Sequence, residues 1–262
     1  MRAVSLHRDV VVLTSALLQV NCTVLRGPSA DAPETFVIDS PVLPDELELL
    51  PRLIDQAGFP APSALLATHA DWDHLLGRLA FADVALGAGE STAERLKDEP
   101  GAAQRELRAF DEELYIERPR PLALGAVEPL PVPGRCGLGD AELELHATGG
   151  HTADGMAVVV PWARVLVAGD YLSSVEIPTL GDGGDVESYL VTLERLRLLL
   201  AGCEQVVPGH GPVIDRARAL GILDEDLAYL TALAERGADA ELPGGRRSPE
   251  QRRLHAGNVA AL

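Results

Sequence analysis

The chain has 262 residues, 47% of them apolar, and a formal net charge of −18. That length suffices to bury the core of one large domain, while the acidic balance excludes a broad nucleic-acid-binding face, which needs basic residues to displace counterions from phosphate. No run reaches the ~18 consecutive apolar residues of a membrane span, and residues 1–20, interrupted by Arg2, His7, Arg8 and Asp9, do not read as a secretory signal.

The expected location is therefore the cytoplasm, with no membrane and no nucleic acid as partner. Cys22, Cys136 and Cys203 show no CxxC spacing and read as reduced, mostly buried thiols.

Short β-like runs alternate with longer helical ones, which points to an α/β fold. Residues 10–13 and 22–25 read as strands, followed by 35–38 after the turn-rich stretch 27–33. Residues 43–57 have helical periodicity, with Asp45 and Glu46 in the first turn, where negative charge suits the helix dipole. Residues 64–67 form a short buried strand, and a helix is expected over 75–80. Residues 91–117 are charged and helical in character, and the proline-rich stretch 119–133 reads as extended loop. Strands follow at 142–146, 156–160 and 164–167, the last two joined by a tight turn at 161–163. A helix over 186–201, a strand at 204–207 and helices over 215–236 and 248–261 complete the chain, with 239–247 as a link. The whole of 1–262 is expected to be one domain, with 83–135 as a substrate-side insertion and 213–262 as a C-terminal helical part.

The strand at 64–67 runs straight into Thr68-His69-Ala70-Asp71-Trp72-Asp73-His74. This loop packs His69, Asp71, Asp73 and His74 together, and imidazole with carboxylate binds first-row divalent metals. Spacing i, i+2 puts His69 and Asp71 on one side of an extended segment. Asp73 and His74, after a change of direction, are free to face a second ion.

Three further pieces each place one ligand type beside glycine: Gly150-His151, Gly169-Asp170 and Gly209-His210-Gly211. Glycine permits tight turns and close backbone approach. Taken alone, the first loop also fits a polar helix start with Asp73 as cap. His7, His146 and His255 have no such companions and read as ordinary histidines, and Trp72 fits either the mouth of the site or packing.

These pieces resemble the metallo-β-lactamase-fold hydrolases, and among them a glyoxalase II-like branch. Five motifs occur in the family's order across about residues 10–212: Asp39 after an early strand, the HxHxDH-like loop from His69 to His74, His151, Asp170 and His210. The resemblance implies a four-layer αββα sandwich with a helical C-terminal extension. It implies one ion on His69, Asp71 and His151, a second on Asp73, His74 and His210, and Asp170 bridging both. Asp39 would orient the ligand loop without touching metal.

The implied activity is metal-dependent hydrolysis of a small-molecule ester, thioester or lactone by a metal-bridging hydroxide. Asp73 would orient that nucleophile or pass its proton. The alternative is an iron-dependent oxidoreductase of the same fold, a persulfide dioxygenase or a flavodiiron-like protein.

The departure is Asp71, where the family usually has His. Three aspartates and a bridging hydroxide cancel two dications, which weakens Lewis acidity and favours iron or manganese over zinc. Arg246, Arg247, Arg252 and Arg253 form a locally basic group in this acidic chain. They fit either a substrate anion, as in glyoxalase II-like relatives, or a solvated helix end.

Overall fold

The computed structural model describes residues 1–29, 31 and 33–262. Residues 30 and 32, within the turn-rich stretch 27–33, lie outside the described residues.

Two mixed sheets form the centre. The first has β1 (Arg2–His7), β2 (Val10–Thr14), β3 (Asn21–Arg26), β4 (Thr35–Ile38), β5 (Ala64–Ala67), β6 (Ala85–Gly89) and β7 (Val127–Leu130) in sequential order. Its early strands are antiparallel, and β4 to β7 run parallel. The second has β8 (Gly134–Leu138), β9 (Ala141–Ala147), β10 (Met156–Val160), β11 (Val165–Gly169), β12 (Gln205–Pro208) and β13 (Ile214–Asp215), also sequential from β8 to β13.

Helices cover the outer faces: α1 (Pro44–Gln56), α2 (Gly77–Ala80), α3 (Glu90–Asp98) and α4 (Ala102–Leu114) belong to the first half. In the second half are α5 (Val186–Leu200), α6 (Arg216–Arg236) and α7 (Pro249–Ala261). Among the described residues no helix is long and apolar enough to cross a membrane.

Alternation along the strands sorts the core into three layers. Val10, Val12, Ile38, Leu66, Val158, Val160, Val165 and Val167 fill the space between the sheets. Their chain neighbours Leu13, Val37, Leu65 and Ala67 point outward onto Leu47, Leu50 and Ile54 of α1. Ala157, Val159, Leu166 and Val206 meet Leu193 and Leu196 of α5 and Ile222 and Leu223 of α6. Each fully buried Leu, Ile or Val contributes ~1.5–3 kcal/mol, so the layers fix the strands and with them the loops at their ends. The result is the αββα sandwich with helices at the C-terminus.

Local signals set the helix starts. Pro44 and Pro249 stand in first turns, where the missing N–H costs nothing. Asp185, Asp215 and Ser248 accept hydrogen bonds from the amides of Ser188, Arg218 and Gln251.

Several elements differ from the sequence expectation. Residues 91–117 form two helices, broken at Pro100-Gly101, with Gly101 at φ 79. The stretch 119–133 is not all loop: β7 pairs parallel with β6 as an edge strand and tolerates Pro129 there. β1, β8 and β13, all absent from the expectation, are the other outer strands. The helix expected over 75–80 is a 3-10 turn at Trp72–His74 followed by α2.

Candidate metal centre

Strands β4 and β5 run parallel, so Asp39 and the loop from His69 leave the first sheet at one edge. β9 and β11 both pair antiparallel with β10, and β12 runs parallel with β11, so His151, Asp170 and His210 follow strand ends at one edge of the second sheet. Backbone hydrogen bonds sew the two edges together. Met156 N donates to Thr68 O at 2.8 Å and Asn21 N to Gly209 O at 2.8 Å. The Asn21 amide donates to the carbonyls of Pro208 and Gly211, both at 2.8 Å.

The seven residues converge. His69, Asp71 and His151 form one group of donor atoms, Asp73, His74 and His210 a second, and His69, His74 and Asp170 a third that joins them. Asp71 Oδ2 lies 3.6 Å from His69 Nε2 and 3.5 Å from His151 Nε2. Asp73 Oδ2 lies 3.4 Å from His210 Nε2. Asp170 Oδ2 stands 3.4 Å from His151 Nε2 and 3.3 Å from His210 Nε2, while its Oδ1 stands 3.2 Å from His74 Nε2. Donors held ~2.1 Å from a tetrahedral ion are separated by about 3.4 Å, so these spacings fit shared ions.

The imidazoles are oriented from behind. His74 Nδ1 is 3.0 Å from Asp39 Oδ2, His151 Nδ1 3.0 Å from Thr179 O and His210 Nδ1 2.8 Å from Leu18 O. Asp39 Oδ2, Thr179 O and Leu18 O can only accept, so each Nδ1 carries a proton and each Nε2 faces inward, where a cation can take the place of a second proton. His69 Nδ1 is 3.1 Å from Thr68 Oγ1, whose own proton goes to Asp39 Oδ2 at 2.9 Å, which places a proton on Nδ1 there too. The buried Nε2 atoms of His69, His74 and His151, and Asp170 Oδ1, have no hydrogen-bond partner. Buried polar atoms are rarely left so, and bound cations would satisfy all of them.

Backbone geometry supports the arrangement at two positions. Asp39 sits at φ 57, a left-handed conformation uncommon outside glycine, which turns its carboxylate onto Thr68 N at 2.8 Å. A Cβ on Gly209 would fall 1.9 Å from Asp170 Oδ1, so only glycine lets Asp170 lie over that loop.

Metal-free electrostatics follow from the crowding of opposite charges. Burial pushes the Asp71 and Asp170 carboxyls up, but neighbouring histidines outweigh it and hold both well below the usual range. Burial lowers His151 and His210, yet the hydrogen bond to Asp71 and the charge of Asp170 lift His151 to about 9, and Asp170 and Glu176 lift His210 to about 10.

Other residues serve the centre without a motif to announce them. Arg95 of α3 reaches Asp71 Oδ1 at 3.0 Å, Asp154 Oδ1 at 2.8 Å and Asp182 Oδ2 at 3.2 Å. Asp154 Oδ2 accepts from Ala70 N at 2.9 Å. From α7, Gln251 accepts from Ile177 N, and Asn258 accepts from Leu180 N while donating to Pro178 O. They thereby clamp the segment that carries Thr179 behind His151.

Arg246 is buried and paired with Asp226 at 2.6 Å and Glu225 at 3.0 Å, and it donates to Ser173 O and Glu176 O. It holds framework and is not open to a substrate anion, whereas Arg252 and Arg253 are exposed. Neither Asp71 nor Asp73 caps a helix with its side chain, and Trp72 packs on Phe110 with ring centroids 4.5 Å apart.

Of residues 83–135, β6 and β7 extend the first sheet, while α3 and α4 border an open cleft of about 1050 Å³. The cleft is lined by Ala70, Arg95, Glu106, Leu124 and Ala147 among others.

Residues 16–210 match the Metallo-beta-lactamase superfamily. An 80-residue stretch is 38% identical to the Beta-lactamase-like protein 2 homolog of Caenorhabditis elegans, covering 29% of this chain and 24% of that protein. An 89-residue stretch is 33% identical to the Metallo-beta-lactamase type 2 of Bacillus sp. (strain 170), covering 33% of this chain and 35% of that protein. The aligned stretch is thus about a quarter of the first relative and about a third of the second.

Among solved structures, DIM-1 metallo-beta-lactamase superposes with a TM-score of 0.61 at 20% identity, over 85% of this chain and 95% of that one. BLEG-1 B3 metallo-beta-lactamase superposes at 0.60 and 22% identity, over 80% of this chain and 95% of that one. These two likenesses concern the fold. The family match, which takes in Asp39 and all seven donors, makes the chain a member of the metallo-beta-lactamase superfamily.

Proposed function

We propose that the chain is a hydrolase that works with two divalent ions and cleaves a small-molecule ester, thioester or lactone, in the manner of a glyoxalase II-like branch of its superfamily. One observation carries this reading: four histidines turn their Nε2 atoms toward three carboxylates at the spacing of shared ligands, while each Nδ1 is engaged by a hydrogen bond on the far side of its ring. His69, Asp71 and His151 would hold one ion, and Asp73, His74 and His210 the other. Asp170 directs its two oxygens toward both groups. When bound, such ions acidify a water to a pKa of roughly 7 and polarise a substrate oxygen.

The protein's own part is to fix geometry and to handle the proton. Asp73 combines both, because one of its oxygens faces His210 while the other lies 3.9 Å from His74 Nε2. We assign it to orient the attacking water and to take its proton.

The competing reading, an iron-dependent oxidoreductase such as a persulfide dioxygenase or flavodiiron-like protein, draws on Asp71. Persulfide dioxygenation uses a mononuclear iron, whereas two donor groups stand here. A panel of esters, thioesters, lactones, phosphodiesters and β-lactams tests the proposal. Chelator-sensitive turnover of acyl substrates supports it; oxygen consumption with thiol persulfides and no acyl hydrolysis refutes it.

A further inference from the structure

Asp71 divides its two oxygens between different neighbours. Oδ2 faces His69 and His151, at 3.6 and 3.5 Å from their Nε2 atoms. Oδ1 accepts from Arg95 Nη1 at 3.0 Å. The guanidinium is held from two more sides: the same Nη1 donates to Asp154 Oδ1 at 2.8 Å, and Nη2 donates to Asp182 Oδ2 at 3.2 Å. Asp154 is itself fixed by Ala70 N, the residue before Asp71. Arg95 is mostly buried, with its side chain 14% exposed, so its charge is poorly screened.

We propose that Arg95 is a positioning residue that occupies one oxygen of Asp71 and offsets part of its charge. Asp71 then offers a single oxygen, as a histidine there would offer a single nitrogen, and the centre selects zinc over manganese or iron. The proposal rests on the reading of Asp71 as a ligand.

A carboxylate free on both oxygens can chelate, which suits ions that take six donors. One-oxygen donation beside two imidazoles suits four-coordinate zinc. Asp71 by itself argues for iron or manganese; Arg95 reverses that argument by removing one lone-pair face and part of one charge. Asp154 shares the guanidinium, so the offset of charge is partial, while the hydrogen bond to Nη1 takes one lone pair of Oδ1 and fixes the direction in which that oxygen points. A purely mechanical role, bolting three loops together, is the rival explanation, and it makes no reference to what stands at position 71.

The test is a double-variant cycle read as metal selectivity. Wild type, Arg95→Gln, Arg95→Lys, Asp71→His and the Asp71→His/Arg95→Gln pair are stripped of metal and dialysed against zinc and manganese together. Bound metal is then quantified. Arg95→Gln is expected to lose at least about tenfold of its zinc-over-manganese preference, the scale on which outer partners tune a site. Arg95→Lys, which keeps the charge without the fork, is expected to lose less. In the Asp71→His background the same Arg95→Gln change is expected to shift selectivity by under about twofold.

Unchanged selectivity in Arg95→Gln, or an equal loss in both backgrounds, overturns the proposal. Should Arg95→Gln fail to fold, Arg95→Lys on the two backgrounds makes the same comparison. Asp71→Ala separates the two levels. If it keeps both ions at wild-type affinity, the ligand reading itself fails; if it loses one while the cycle shows no coupling, only the role of Arg95 fails.

Discussion

Replacing Asp39 by Asn should unseat two histidines through one carboxylate. Asp39 Oδ1 accepts from Thr68 N at 2.8 Å, and Oδ2 accepts from both Thr68 Oγ1 at 2.9 Å and His74 Nδ1 at 3.0 Å. In the variant, the amide oxygen keeps Thr68 N and the NH2 group replaces Oδ2. It then donates to Thr68 Oγ1 and to His74 Nδ1, which must give up its proton and carry it on Nε2. The Thr68 hydroxyl, no longer able to donate toward position 39, donates to His69 Nδ1 and imposes the same change there. Both Nε2 atoms lose the lone pair aimed at the donor groups.

A hydrogen bond to a charged partner is worth ~1.5–3 kcal/mol, which corresponds to about 10–100-fold in affinity for each ion. Titration of metal-stripped protein against a chromophoric chelator measures both binding steps. Thr68→Val is the control, since it removes only the arm to His69 and should weaken one step. The reasoning is refuted if Asn at 39 leaves both steps at wild-type affinity, or if the two variants are indistinguishable.

Gly209→Ala puts a Cβ 1.9 Å from Asp170 Oδ1. Asp170 must swing away, and metal content is expected to drop for both ions while circular dichroism stays native; two full equivalents bound would contradict this. In metal-free protein His151 titrates near 9 and His210 near 10, both above their ordinary 6.5. Their contribution to stability is complete below about pH 6.5 and is lost as pH rises through 9 to 10. The Tm of the metal-free protein should therefore fall across that window, and metal uptake at pH 7 should release protons; a Tm that rises there contradicts the assignment. Arg246→Met leaves buried Asp226 without its partner and should cost ~3–5 kcal/mol in urea unfolding. The Arg246→Met/Asp226→Leu pair should recover much of that, and a loss under about 1 kcal/mol for the single variant would show the pair to be idle.

What the sequence could show follows from how local each feature is. The site was legible because its donors follow strand ends and three of the seven, His151, Asp170 and His210, sit beside a glycine, which at Gly209 the backbone needs against Asp170. Central strands such as Met156–Val160 announce themselves by unbroken apolar runs. Among the outer strands, β1, β7 and β8 do not: their residues are half exposed, and β7 carries Pro129, so their pattern resembles loop, while β13 has only two residues.

Arg95 is the most consequential omission. It lies on a separate helix, with no motif around it, and only the packing of α3 brings it to Asp71. The basic group at the C-terminus reads as one unit in the sequence but divides in the structure: Arg246 is spent on Asp226, Glu225 and two carbonyls, while Arg247, Arg252 and Arg253 are exposed.

A two-ion hydrolase is tested most directly by returning metal to stripped protein while bound metal and thioester hydrolysis are followed together. Two ions per chain are expected at saturation, with activity rising alongside occupancy and vanishing in Asp170→Ala, whose carboxylate faces both donor groups. Saturation at one ion or fewer, or hydrolysis that survives stripping, would contradict the dinuclear centre.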